Sequence, residues 1–424
     1  MNERRFDKDE LRIGMFVMLD LPWLSHPFLT NSFKIRNQHQ INILRQLDLE
    51  TIRVDLDRSD PFWAQDQSDS PAADALADEA GGQAFTSKLW SEKHTRIQQL
   101  KERRARLNQC AKCYLQKANL ARSIMSHLRS APAQAAEEAV ELVGGMVDEL
   151  TEDPETTVQL VNLKHRDENS YNHAVNVSAL ALVLGREFDL DQAQLRLLGM
   201  GALFHDLGHL KIPSQILMKK GPLTEAERRF YQQHPRYGAE IARQIGTLPA
   251  GVIEIIVKHH EHMDGSGFPE GLSARDLGLL TRILTVVNRY DNLCNGFGSE
   301  RDLSPHQAIS RMYSKERQWY DPKVLTTFIT HLGVYPPGTV VRLNDGRIAV
   351  VTSINTEDLL KPNVLVYSEE IPAEEALILN LIEEEIGIRE SLKISELTQA
   401  QIEYLNLSDK LSYYFQGQRH GRVR

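Results

Sequence analysis

Residues 195–207 are apolar at most positions (Leu195, Leu197, Leu198, Met200, Ala202, Leu203, Phe204 and Leu207), yet they contain the adjacent pair His205-Asp206. A run this apolar reads as a helix buried on most sides. An unpaired carboxylate in such a place costs several kcal/mol. The pair therefore needs a partner inside the fold, either a structural hydrogen bond or a metal ion. This one stretch demands a helical core built around polar groups.

The demand recurs along the chain. Of 15 histidines, eight fall between His165 and His262. His173 lies in YNHAVNVSALALVL, His205 in LFHDLGH and His259-His260 in GVIEIIVKHHE, all helical contexts, and His234 precedes Pro235. Imidazole and carboxylate together suit Zn, Fe, Mn or related divalent ions. Two neighbouring metals need about six to eight protein ligands, often with a bridging carboxylate. The inventory has that size. A single histidine on an apolar helix is commonly a satisfied core residue, but adjacent pairs on separate buried helices are not explained that way. His165, His262, His306 and His331 have no such context and read as surface or packing residues.

Composition bounds the function. The chain has 424 residues, 41% hydrophobic and 25% charged, with a net charge of -9. That charge disfavours a nucleic acid polymer as the main partner, while local cations still allow a small anion. No run of about 18 apolar residues predicts a membrane span, and MNERRFDKDE lacks the apolar stretch of a secretory signal. Three cysteines (Cys110, Cys113 and Cys294) make no disulfide framework. A cytoplasmic location is expected.

The predicted architecture is mainly helical, with a small α/β N-terminal domain and a short β-rich C-terminal appendix. LRIGMFVML (11–19) and TIRVDL (51–56) read as strands and QHQINILRQLD (38–48) as a helix. Residues 1–135 form an N-terminal regulatory domain, with a mobile acidic loop at 60–87 and linking helices that regulate or dimerise, so a homodimer or a signalling protein is a candidate partner. Residues 136–335 form the helical domain. In 336–424, β-prone runs flank Asn344-Asp345-Gly346, a strong hairpin signal, before a polar tail.

His173, His205-Asp206, His234-Pro235 and His259-His260-Glu261, followed by Asp264-Gly265-Ser266-Gly267-Phe268-Pro269, come in an order that resembles the HD-GYP domain, a branch of the HD metal-dependent phosphohydrolases. The resemblance runs from about 156 to 335 and includes IPSQILMKKGPLTEAE and HPRYGAEIA. LRIGMFV and LPWLSHPF are similar to a domain of unknown function found ahead of HD-GYP domains in bacteria. The resemblance implies an all-helical domain with two divalent metals, Fe or Mn first, with Zn, Ni or Mg as alternatives. It implies hydrolysis of cyclic di-GMP to pGpG or GMP in second-messenger signalling. Asp206 then bridges the metals, His173 and His205 serve one, and His234, His259 and His260 serve the other. Gly265, Gly267, Phe268 and Pro269 match the substrate-binding signature loop, with Phe268 where the family name specifies tyrosine.

Other positions depart from the family. Asn169 stands where some members have a glutamate that helps hold a third metal, which favours two. Asn288 replaces the aspartate that closes the metal site, with Asp291 three residues on. His209 replaces a lysine near the substrate phosphate and is expected to act beside Asp206 as a catalytic residue, through a phosphate contact or as general acid. CNGFGSERD (294–302) replaces a segment of phosphate-binding cations, leaving Arg289 and Arg301 as substitutes. Two alternatives stay open: a catalytically weakened cyclic di-GMP receptor or interaction module, and a phosphohydrolase for another nucleotide.

Overall fold

The computed structural model describes residues 2–28, 30–60, 79–128, 130–152, 159–163, 169–219, 221–295, 303–384, 386–405 and 410–414. The chain divides into two compact units, Met1–Ala105 with Tyr367–Leu377, and Arg106–Val366 with Ile378–Arg424.

The first unit holds β1 (Glu3–Asp7), β2 (Phe16–Met18), β3 (Ser32–Lys34), α1 (Gln38–Gln46) and β4 (Thr51–Asp55). The strands make an antiparallel sheet in the order β1-β4-β2-β3, with Phe6 opposite Ile52 and Val17 opposite Val54. Alternation places Ile52 and Val54 inside, against Leu11, Val17, Ile35 and Leu44. Asn37 caps α1 by accepting from the Gln40 N–H at 3.0 Å. The strand expected over 11–19 shrinks to Phe16–Met18. Gly14 takes a φ of +94° and donates to the Ile35 carbonyl at 2.9 Å, which turns the chain before the strand begins.

Two helices follow, α2 (Glu79–His127) and α3 (Pro132–Glu152). They break at SAPAQ, where Pro132 lacks the N–H that would continue α2 and opens α3 instead. The predicted acidic loop lies outside the described residues as far as 78, and from Glu79 the chain is already helical.

The second unit contains β5 (Gln159–Leu163) and nine helices among the described residues from 169 to 332: α4 (Asn169–Arg186), α5 (Gln192–Phe204), α6 (Ser214–Leu217), α7 (Glu225–Tyr231), α8 (His234–Ile245), α9 (Ala250–Lys258), α10 (Leu279–Asn295), α11 (Pro305–Ser314) and α12 (Pro322–Leu332). Asp191, Thr224, Ser304 and Asp321 cap α5, α7, α11 and α12, each accepting from a first-turn N–H. Such caps contribute about 1 kcal/mol each. Helix α4 packs on α5 and α10, and α9 on α5 and α8. Leu182, Leu198, Phe204, Ile256, Leu284 and Phe328 fill the core between the helices.

Strands β6 (Val340–Leu343), β7 (Ile348–Ser353), β8 (Asn363–Val366), β9 (Leu377–Asn380) and β10 (Ile388–Leu392) form a five-stranded sheet in the order β10-β6-β7-β8-β9. The expected hairpin joins β6 and β7, with Gly346 at a φ of +91°. After a short helix, α13 (Gln399–Tyr404), β11 (Lys410–Tyr414) pairs with β5. The fold is thus mainly helical, with a small α/β sheet before the helices and a β-rich region after them, as the sequence predicts. Among the described residues no helix is long and apolar enough to cross a membrane.

Candidate metal centre and cavity

The site forms where α5 stops. His205 is still in helical conformation, Asp206 leaves it with φ −94° and ψ 13°, and a tight turn runs from Leu207 to Lys211. That turn lies against the start of α8. A Cβ on Gly208 would fall 1.8 Å from the carbonyl oxygen of His234, so only glycine lets the two segments approach. His205 and His234 are fully buried, and His259, at the end of α9, is 1% exposed.

Hydrogen bonding at one ring nitrogen determines what the other can do. His205 Nδ1 lies 2.7 Å from the Ala202 carbonyl, His234 Nδ1 2.9 Å from that of Tyr231, and His259 Nδ1 2.7 Å from that of Ile256. A carbonyl only accepts, so each Nδ1 carries the proton and each Nε2 presents a lone pair. His173 Nδ1 likewise donates to Asp291 Oδ2 at 2.6 Å. The lone pairs then face one another, with His173 Nε2 3.1 Å from His205 Nε2 and His234 Nε2 3.2 Å from His259 Nε2. Two acceptors at that distance repel unless a proton or a cation sits between them. Burial opposes the proton on the His234-His259 side, pushing His259 down to about 4 and His260 well below its ordinary value. At His173, by contrast, burial is outweighed by the Asp291 carboxylate, which raises the ring. Two nitrogens bound to one ion at about 2.1 Å stand roughly 3.0–3.4 Å apart. The donor set fits divalent cations.

Asp206 joins the two pairs. Its Oδ2 lies 3.3 Å from His205 Nε2 and 3.7 Å from His173 Nε2, and its Oδ1 lies 3.4 Å from His234 Nε2 and 3.7 Å from His259 Nε2. Burial alone would raise its carboxyl, but positive charge on the surrounding imidazoles, His205 first, would hold it well below the usual carboxylate range. Two groups of ligand atoms result, Asp206 with His173 and His205, and Asp206 with His234, His259 and His260, each within 4.8 Å.

The remaining expected residues take different places. His209 brings Nδ1 to 3.5 Å from Asp206 Oδ2, while its buried Nε2 has no hydrogen-bond partner among the described residues. Burial pushes His209 down to about 3, so in this setting it is a neutral imidazole. Asn288 lines the cavity beside the cluster, and its Oδ1 accepts from Asn292 at 2.7 Å. Asp291 does not join the ligand atoms. It is 2% exposed and receives His173, Asn176 (3.1 Å) and Asn295 (3.0 Å). A carboxylate behind a ligating histidine fixes the ring and its tautomer.

Phe268 stacks on His260 with centroids 4.4 Å apart. Gly265, Gly267 and Pro269 set the course of the loop that carries it. A Cβ on Gly267 would meet the His262 nitrogen at 2.4 Å and the His260 oxygen at 2.5 Å. The Pro269 carbonyl accepts from Arg236 at 3.4 Å. Glu261, fully buried, clamps the loop by accepting from the Glu270 N–H at 2.7 Å and the Leu272 N–H at 2.8 Å. Arg289 is paired with Glu316. Arg301 lies outside the described residues.

A cavity of about 580 Å³ opens beside the cluster, and its lining includes His259, His260, Phe268, Asn288, Arg289, Arg311, Trp319 and Tyr320. His262, read from sequence as a packing residue, lines it too and stacks on Trp319 with centroids 4.5 Å apart. Position 262 follows the ligand pair by two residues, but nothing in the local sequence signals a partner 57 positions on.

Comparison with known proteins adds a second line of observation. The HD domain family matches residues 157–324, and a domain of unknown function, DUF3391, matches residues 3–139. The cyclic di-GMP phosphodiesterase PA4108 of Pseudomonas aeruginosa is 30% identical over 370 residues, covering 86% of this chain and 85% of that protein. The 3'3'-cGAMP-specific phosphodiesterase 3 of Vibrio cholerae is 32% identical over 164 residues, covering 39% of this chain and 35% of that protein. Among solved structures, Bd1817, an HDG"Y"P protein from Bdellovibrio bacteriovorus, aligns over 77% of this chain and 98% of its own at 15% identity, with a TM-score of 0.43.

Proposed function

Because the chain belongs to the HD-GYP family of HD-domain phosphohydrolases, with the DUF3391 domain ahead of it, we propose that it is a cytoplasmic phosphodiesterase that hydrolyses cyclic di-GMP to pGpG or GMP. The observation that carries this reading is the pair of facing Nε2 sets joined by the two oxygens of Asp206. His173 and His205 would hold one ion, His234, His259 and His260 the other, and Asp206 both, with iron or manganese the preferred metals. When bound, such a pair neutralises phosphodiester charge and supplies hydroxide near neutral pH.

The chain's own residues prepare the site. The carbonyls of Ala202, Tyr231 and Ile256 hold the ligating imidazoles in one tautomer, so no reorganisation is needed when the ions bind. Asp291 does the same for His173. With Nδ1 3.5 Å from Asp206 Oδ2 and a buried Nε2 without a hydrogen-bond partner among the described residues, His209 would pass a proton at the edge of the cluster. Phe268 keeps the His260 ring from turning.

A second reading, a receptor that binds the dinucleotide without turnover, draws on Asn288. An amide there adds no negative charge to the site, and its oxygen is engaged by Asn292. The test is hydrolysis of cyclic di-GMP by protein purified without oxygen and loaded with Mn or Fe, followed by chromatography with metal analysis. Linear products at about two metals per chain are expected. Tight binding with no product under either metal overturns the enzyme reading in favour of the receptor.

A further inference from the structure

The cavity beside the histidine cluster is lined by the side-chain cations Lys219, Arg228, Arg289 and Arg311 and, among the described residues, by no carboxylate. Three of these cations are matched by a glutamate that does not itself line the cavity. Glu227 holds Lys219, and Glu316, 3% exposed, holds both Arg289 and Arg311. Arg228 is the exception. The acids of its own helix are taken, Glu227 by Lys219 and Glu225 by Arg229. Its guanidinium has no ion pair or hydrogen bond among the described residues.

Helix α7 fixes where that cation stands. Arg228, Tyr231 and Gln232 all line the cavity, and their i, i+3, i+4 spacing is one face of a helix. Tyr231 ties this face to the cluster. Its carbonyl accepts from His234 Nδ1 at 2.9 Å, and its ring centroid lies 4.9 Å from that of His234. Arg228 is exposed as well as cavity-lining, which puts it at the opening, about one helical turn from the residue that holds a ligand.

A cyclic dinucleotide carries two phosphodiester anions, and a metal pair meets the one being cleaved. The other enters the cavity still charged and needs a donor that is not already engaged. A guanidinium supplies it, with paired N–H groups matched to phosphate oxygens. We propose that Arg228 holds the second phosphate of the substrate, so that the site favours a dinucleotide with two phosphates over a single phosphodiester. Arg289 and Arg311 stay with Glu316 and shape the wall. The inference rests on the reading that this site takes a cyclic dinucleotide.

The test uses the full chain loaded with Mn. KM and kcat are measured for cyclic di-GMP, with two phosphates, and for bis(p-nitrophenyl) phosphate, with one. Binding is measured by calorimetry with the bisphosphorothioate analogue of cyclic di-GMP, which resists cleavage. Arg228→Gln should raise KM for cyclic di-GMP and Kd for the analogue about five- to tenfold. It should leave kcat, and KM for the single diester, within about twofold of the parent. Arg228→Lys, which keeps the charge and loses the fork, should recover part of the loss. Arg229→Gln removes the same charge from the same helix, where Glu225 already pairs with it, and should change each value by less than about twofold. The inference is refuted if Arg228→Gln leaves KM and Kd at parent values, weakens both substrates alike, or does no more than Arg229→Gln. Turnover of cyclic di-GMP by the parent would then still uphold the phosphodiesterase reading. If the parent binds the analogue in an Arg228-dependent way but cleaves no cyclic di-GMP, that reading fails and the second-phosphate contact stands. A parent that neither binds nor cleaves overturns both.

Discussion

Each unit of the molecule buries charge, and the two do so differently. In the first, Lys93 is 1% exposed, donates to the carbonyls of Trp23, His26 (2.8 Å) and Phe28 (3.2 Å), and rests over the Trp23 ring. Every donor of its ammonium group has an acceptor in the protein. In the second, the Nε2 atoms of His173 and His205, and those of His234 and His259, face one another and Asp206. A buried charge that the chain satisfies by itself is a clasp. A buried cluster whose lone pairs point inward is arranged to hold a cation, and that arrangement marks a site. The distinction is physical, and it needs no knowledge of relatives.

Breaking the cluster should affect chemistry and leave the fold in place. Asp206→Ala removes the one group shared by both ligand sets, so metal content should fall below one ion per chain and phosphodiester turnover to background. The metal-free chain should lose no more than about 1 kcal/mol in urea unfolding. Retained turnover would place the metals elsewhere.

The clasp should behave in the opposite way. Lys93→Met leaves buried carbonyls without their donor, so unfolding free energy should fall by roughly 2–4 kcal/mol, while metal content per folded chain stays at the parent value. Urea titration followed by metal analysis checks both. A variant that unfolds like the parent but loses metal would erase the contrast between the two regions.

How much of this was legible in the sequence depends on how far apart the partners lie. His173, His205 and the pair His259-His260 sit on or beside apolar helices and Asp206 follows His205 directly, so local context singled them out. His234, at the start of the polar-rich α8, was joined to them as a ligand by the family resemblance. Local context could not reveal the work of Asp291. Its partner His173 is 118 positions away, and the pairing exists only because α10 packs on α4. The same holds for Arg289, expected to serve as a replacement cation, whose partner Glu316 comes from the turn before α12. Strand β1 was missed because only Phe6 of its five residues is buried, too little for an alternating pattern to show. Strand β5 depends on pairing with β11, some 250 positions later, in a tail that composition marks only as polar.

Asp291 also sharpens the comparison from within the site, since it is a buried charge satisfied by protein donors that serves an unsatisfied neighbour. Asp291→Asn keeps the shape and removes the strong acceptor for His173 Nδ1. Metal affinity should drop about 10–100-fold, read by competition with a chelator, with the fold retained. An unchanged affinity would make the carboxylate a packing residue only.

The smallest effect belongs to the position where this chain departs from its family's name. Phe268 lies face to face with His260 at 22° between planes and meets the His234 ring edge-on at 6.1 Å. Both contacts use the ring and neither needs a hydroxyl. The polar atoms of this loop are already supplied by Glu261, Asp264 and Ser266, which tie it together through its own backbone and side chains. Phe268→Tyr should therefore change metal affinity and KM by less than about twofold, because a para hydroxyl adds to a stack without displacing it. Phe268→Ala should act differently, freeing the His260 ring and weakening metal binding clearly more than the tyrosine variant does. If tyrosine instead raises turnover tenfold, the added hydroxyl contacts substrate, and the site needs a hydrogen-bond donor here as well as a ring.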